Sequence, residues 1–138
     1  VKEVTPLAVS FGFKGLATGQ SSTFIDWTLD ASNGILMQSG TTDFTFTQEA
    51  SAVVDTVTGG SYTSGINTAI SLAAYHKENG LNGADDGTAL TENTTPVAFP
   101  GLSGTDISLF SSFNGVVFTV PMWSTTIEDA GLVESSTP

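Results

Sequence analysis

The chain has no cysteine and no arginine, and only Lys2, Lys14 and Lys77 carry a positive side chain. Against them stand 14 aspartates and glutamates, for a formal net charge of −11. Each shortage removes a class of function. Nucleic-acid binding needs a basic footprint for the phosphates, and three separated lysines do not make one. An anionic membrane surface would repel the chain for the same reason. No apolar run approaches the roughly 18 residues of a spanning helix, so no membrane insertion is expected. Without cysteine, stability must come from packing and not from disulfides. With His76 as the only histidine, zinc sites of the usual kinds cannot be assembled. Charged residues are 12% of the chain, about half the usual share, which also leaves out ion-pair networks.

What the chain has instead is hydroxyl. Serine and threonine together number 37, so the polar surface is mostly hydroxyl and amide with scattered negative charge. At 138 residues the sequence is long enough to bury a core, and with no linker or repeat it reads as a single domain over 1–138. It starts at Val1, without methionine or a signal peptide, which processing during export would explain and so would trimming of the chain. Low charge, abundant Ser, Thr and Gly, and that start give an expected location outside the cell or at its surface, with a virion as the alternative.

Leu7, Val9, Phe11 and Phe13 alternate with Ala8, Ser10, Gly12 and Lys14, which predicts a half-buried strand entered after Pro6. Ile25, Trp27 and Leu29 mark one face of a second strand, and Ile35 to Met37 returns after the hairpin signal Asn33-Gly34. Phe44 and Phe46, then Ala52 to Val57, give two more around a turn at Gln48 to Ser51. Val97 and Phe99, bracketed by Pro96 and Pro100, read as a short edge strand. Ile107, Leu109, Ser111 and Phe113 alternate up to Asn114-Gly115, and Val116, Phe118 and Val120 come back, which predicts another hairpin. From Thr125 the chain is acidic and rich in Ser and Thr, a surface strand or a tail. About eight or nine short strands at this spacing predict a mainly β fold: an antiparallel β-sandwich, with the jelly roll among the arrangements that suit it.

One segment departs from strand periodicity. Ser64 can cap a helix, and Ile66, Ala69, Ile70, Ala73 and Ala74 recur at helical spacing. Lys77 suits a last turn and Gly80 a left-handed stop. These features predict one inserted helix at about 64–79. Adding Leu72 widens its apolar arc to about 200°, more than one sheet face uses, which suggests a second contact surface.

The chemistry-bearing residues gather just after it. His76 is expected near the last turn of that helix, where the dipole favours a cation, and so has a structural reading. Asp85 and Asp86, with Asn82 and Glu92, offer the hard oxygen ligands that calcium takes. Numbered as an EF-type loop from Asn82, the segment puts Gly87 at the sixth position but fails at Ala84 and at Asn93, so only an irregular calcium site is expected. Asn93-Thr94-Thr95 satisfies the glycosylation sequon. Gly101-Leu102-Ser103-Gly104 lacks the spacing of a nucleophile elbow, and no phosphate-binding glycine loop occurs. No catalytic residue is named, no enzyme is expected, and calcium is the only cofactor considered.

Three function classes remain. A structural subunit that assembles with copies of itself into a surface fibre, pilus, tube or sheath ranks first. Its self-association would run through the N-terminal strand (Leu7, Val9, Phe11 and Phe13) by strand addition, and through Leu72 and Tyr75 on the wide helix arc. A virion tail-tube or decoration subunit ranks second. A carbohydrate-binding module, with or without calcium, ranks third; it would need exposed aromatics, for which Tyr62, Tyr75 and Trp123 are the candidates.

Overall fold

The computed structural model describes residues 7–16, 20–62, 68–125 and 127–138. Its strands are β1 (Leu7–Gly15), β2 (Ser22–Asp30), β3 (Asn33–Ser39), β4 (Phe44–Ala50), β5 (Val53–Gly59), β6 (Ile70–Lys77), β7 (Gly80–Asp85), β8 (Thr88–Ala89), β9 (Ser108–Leu109), β10 (Gly115–Val117) and β11 (Met122–Trp123). One helix, α1 (Asp129–Ser136), follows them. Sheet A runs β10-β1-β6-β7-β8, with β11 also on β1; sheet B runs β5-β4-β3-β2-β9; every pairing is antiparallel. The fold is the expected β-sandwich.

The alternation read in β1 is what fills it. Val9, Phe11 and Phe13 meet Phe24, Ile25, Met37, Phe44 and Phe46 of sheet B in one buried cluster. The Phe13 ring lies 4.9 Å from Phe24, 6.1 Å from Phe44 and 5.5 Å from Phe113, mostly tilted or edge-on. Such pairs add about 0.5–1.5 kcal/mol each beyond their buried area.

The other face of sheet A is covered too. Ala8, Ala73 and Ala84 leave a shallow floor on which α1 sets Leu132, fully buried against them and Tyr75. The helix starts at Glu128 without a side-chain cap, and its far end is tied down where Ser136 Oγ accepts the Gly87 amide at 3.2 Å. Docking, not propensity, holds these eight residues helical.

That layering corrects three expectations. Residues 70–77 of the predicted helix at 64–79 form β6, and residues 63–67 lie outside the described part. Ile70, Leu72 and Ala74 point into the sandwich while Ala73 and Tyr75 point at α1. A strand buried on both faces shows an apolar run with no clean period, which a helical wheel displays as a wide arc. The hairpin predicted around Asn114-Gly115 is absent, because its arms belong to different sheets: β9 pairs β2, and β10 pairs β1. Between them Phe110, at φ 54°, and Phe113 plug the gap and pack on the core. Val97 and Phe99 are not in a strand; the Val97 amide and carbonyl are bound instead by Asp55 Oδ2 (2.6 Å) and Gln48 Nε2 (2.6 Å).

The β4–β5 turn carries its own prediction. Ser51 and Ala52 both have positive φ, 52° and 64°, as a two-residue type I′ hairpin requires. Neither residue type favours that region, and each is held there at about 1 kcal/mol. Replacing the pair by Asn-Gly is expected to raise stability by about 1–2 kcal/mol, read as a higher urea midpoint with an unchanged slope. A lower midpoint would contradict the turn assignment.

Candidate functional site

The recesses on the described surface include three of about 290–340 Å³. One, about 300 Å³, lies at the sheet B end of β2 and β3 and is lined by Ser21, Thr23, Gln38, Ser39 and Thr45. It has hydroxyls and an amide but no aromatic ring. A second, about 290 Å³, lies on the helix side of sheet A around the half-exposed ring of Phe118. That ring sits on Gly12, where a Cβ would come within 2.8 Å of it, and Ser10, Ser71 and Ser135 supply hydroxyls nearby.

The third, about 340 Å³, is a slot between the two sheets at the edge where β11 and β2 face each other. Leu7, Ile107 and Met122 make its walls, with Trp27 and Trp123. The Trp27 indole is fixed: Nε1 donates to Thr105 Oγ1 at 2.9 Å, and the Phe99 ring meets it edge-on at 6.5 Å. Thr105 is held in turn, its hydroxyl donating to the Leu102 carbonyl at 2.8 Å. Trp123 stands on the edge strand bordering the slot and is 37% exposed; paired with Ala8, it leaves β11 on the helix face of sheet A. The Ser124 hydroxyl beside it is exposed. A rigid indole, a more exposed one and a few hydroxyls fit a small ligand with one apolar and one polar face.

A polar cluster under α1 is a separate matter. The Tyr75 hydroxyl donates to Glu92 Oε1 at 2.7 Å and lies 3.2 Å from Asp129 Oδ1. Asn82 Nδ2 donates to Asp129 Oδ1 at 2.9 Å and to the Leu90 carbonyl at 3.2 Å. Lys77 Nζ bridges both Glu128 oxygens and lies 4.6 Å from the Tyr75 ring centre. Burial, reinforced by the bond to Glu92 and the nearby carboxylates, pushes the Tyr75 phenol far above its usual range. The phenol therefore stays a hydrogen-bond donor, and the cluster pins the helix to the sheet.

The residues singled out in the sequence are dispersed by the fold. Asp85 Oδ2 accepts the Ser61 amide at 3.0 Å, and Asp86 Oδ1 accepts the Ser71 amide at 2.8 Å. Asn82 and Glu92 belong to the Tyr75 cluster. Among the described residues no group of three or more His, Cys, Asp or Glu is placed to hold a metal ion. The Asn93 side chain is engaged on both sides, Nδ2 donating to Asp55 Oδ1 at 3.3 Å and Oδ1 accepting the Thr95 amide at 3.0 Å.

The self-association residues need a correction. Leu7, Val9, Phe11, Phe13, Leu72 and Tyr75 are all buried within the chain's own layers. β1 is paired along both edges, by β6 on one side and by β10 and β11 on the other. It has no free edge to offer a neighbour. His76 is also displaced from its expected helix end: it is fully buried in β6, opposite Leu7 and Leu81.

Of the three candidate aromatics, Tyr62 and Tyr75 are buried and only Trp123 reaches the surface. Trp27, expected on one face of the second strand, is buried in the core, yet it also forms a wall of the slot. Nothing in the sequence signals that second role, because the slot exists only once β11 lies beside β1 and Ile107 packs against the Trp27 cluster. Among the described residues, no helix is long and apolar enough to cross a membrane.

No family model matches the chain, and no curated protein matches it in sequence. Solved structures do match it in shape. The CBM40 domain of the Ruminococcus gnavus IT-sialidase, bound to α2,3-sialyllactose, superposes with a TM-score of 0.75 at 9% identity, over 95% of this chain and 82% of that one. The leech intramolecular trans-sialidase gives 0.77 at 11% identity, over 96% of this chain but 23% of the other. The binding domain of botulinum neurotoxin DC in complex with SialylT gives 0.68 at 14% identity, over 96% and 36%. These superpositions establish a shared fold: the chain is a β-sandwich similar in shape to domains solved with bound sialylated carbohydrate.

Proposed function

We propose that this chain is a non-catalytic carbohydrate-binding domain acting outside the cell, with the slot between β2 and β11 as its site. The observation that carries the reading is the Trp27 indole locked by Thr105 in the slot, with the exposed Trp123 on the edge strand that borders it. Sugars present a CH face that packs on an aromatic ring and hydroxyls that exchange hydrogen bonds at its margin. The likeness to sialidase CBM40 domains supports the same choice at the level of fold. A self-assembling fibre subunit, by contrast, loses its support with the burial of every residue expected to drive it.

The test is a glycan array read with the parent and two variants. Trp123→Ala is expected to lower binding tenfold or more, the size of effect seen on truncating an aromatic anchor. Its stability should change by less than about 1 kcal/mol, since the side chain is only partly buried. Phe118→Ala, in the groove on the other side of sheet A, should leave binding intact. If Phe118→Ala abolishes binding and Trp123→Ala does not, the site is in the wrong place.

A further inference from the structure

The charges around the slot narrow the class of sugar. A carboxylate ligand is held best by the fork of an arginine or, less specifically, by a lysine. The chain has no arginine. Lys77 is bound to both oxygens of Glu128 and stands over Tyr75 on the helix side of sheet A. Lys14 lies seven residues along β1 from Leu7, about 23 Å from the slot at the rise of a strand. Lys2 precedes the described residues.

The acidic residues next to the lining residues in sequence have the opposite sign. Asp26 leaves β2 on the face opposite Trp27, where its Oδ1 accepts the Thr28 hydroxyl at 2.6 Å, and the exposed Asp106 lies between the lining residues Thr105 and Ile107. Behind them stands a net charge of −11. We infer that the slot takes an uncharged sugar and disfavours sialylated and other acidic glycans, unlike the sialyllactose-bound structures whose fold it shares. The inference rests on the carbohydrate-binding reading and adds the ligand's charge to it.

The exposed Asp106 together with the net charge of −11, in water and partly screened, weakens the binding of an anion by about threefold. The experiment is an array carrying neutral oligosaccharides beside their α2,3- and α2,6-sialylated counterparts, read at low and physiological salt. The parent should bind at least one neutral oligosaccharide, and more weakly, by about threefold or more, its sialylated counterpart. That gap should widen as salt is lowered. Asp106→Lys should narrow the gap while leaving the neutral signal as it was.

Sialylated glycans bound as well as or better than their neutral counterparts would overturn the inference and leave the carbohydrate reading standing. Binding to acidic glycans alone, lost in Lys2→Ala, would overturn it as well and identify the cation responsible. No binding to any glycan at either salt would overturn the carbohydrate reading, and this inference with it.

Discussion

A single methyl group added at Gly83 is expected to destabilise the fold by about 3 kcal/mol. Gly83 lies in β7, on the face that meets sheet B, and a Cβ there would overlap the ring of Phe46. That ring is fully buried between Met37 and Val57, its cross-strand neighbours, so it has nowhere to retreat. The glycine is present because two backbones approach closely with one aromatic ring between them. Thermal unfolding of Gly83→Ala should show a midpoint lowered by about 10 °C for a domain of this size. Phe46→Leu costs stability in the parent but should return part of it in the Gly83→Ala background. A double-mutant cycle should therefore give a coupling above about 1 kcal/mol. A Gly83→Ala protein within about 0.5 kcal/mol of the parent would show that β7 does not press on Phe46.

The second large effect is one of acid. His76 is fully buried and burial alone holds its pKa down at about 3, against 6.5 for the free side chain. Nδ1 has no hydrogen-bond partner among the described residues. The folded protein therefore keeps the imidazole neutral at a pH where the unfolded chain would protonate it. Between pH 6.5 and about 3 the unfolded state binds the extra proton, so stability falls as the pH falls through that window. The largest slope is about 1.4 kcal/mol per pH unit, or about 3 kcal/mol lost by pH 4.5. Carboxylates titrate over part of the same range, so the measurement must be a difference. Urea midpoints of the parent and of His76→Gln, followed from pH 7 to pH 4.5, should diverge by about that amount, the variant losing less. Parallel curves would mean that water or a partner reaches the imidazole.

How much of this could be read from the sequence depends on how many faces of an element are covered. β1 and β4 face the core with alternate large side chains, and Leu7 to Phe13 and Phe44 with Phe46 announced them. β6 is covered twice, so its apolar residues run together and imitate a helix. The real helix was invisible for a related reason. Its sequence, from Asp129 to Ser136, holds a glycine, two serines and one side chain, Leu132, that is both large and fully buried. The clue lay on the other partner: Ala8, Ala73 and Ala84 are small in the same layer, which leaves room for something to lie down.

Asp86-Gly87 was a turn signal hidden inside an apparent acidic loop. Both residues have positive φ, 43° and 79°, and they close the β7–β8 hairpin. Their carboxylate chemistry drew attention to calcium while their backbone geometry was the use made of them. The slot was beyond reach for a different reason. Trp27 and Trp123 are 96 positions apart in the sequence (123 minus 27), and no periodicity links them. Only sheet pairing brings both to one recess.

The pairing of β1 on both edges also sets a timetable for biosynthesis. Strands β2 to β5 form a meander, each beside the next, and all of it has emerged by Gly59. β1 is made before any of them, yet its first neighbour in sheet A is β6 and its other edge waits for Gly115 to Trp123. Contacts of that sequence separation are the slow ones. Until they form, a growing chain displays Val9, Phe11 and Phe13 on a strand with an open edge, the kind of surface on which aggregation begins. The strand that is safest from neighbours in the finished protein is thus the one most in need of protection while the protein is being made.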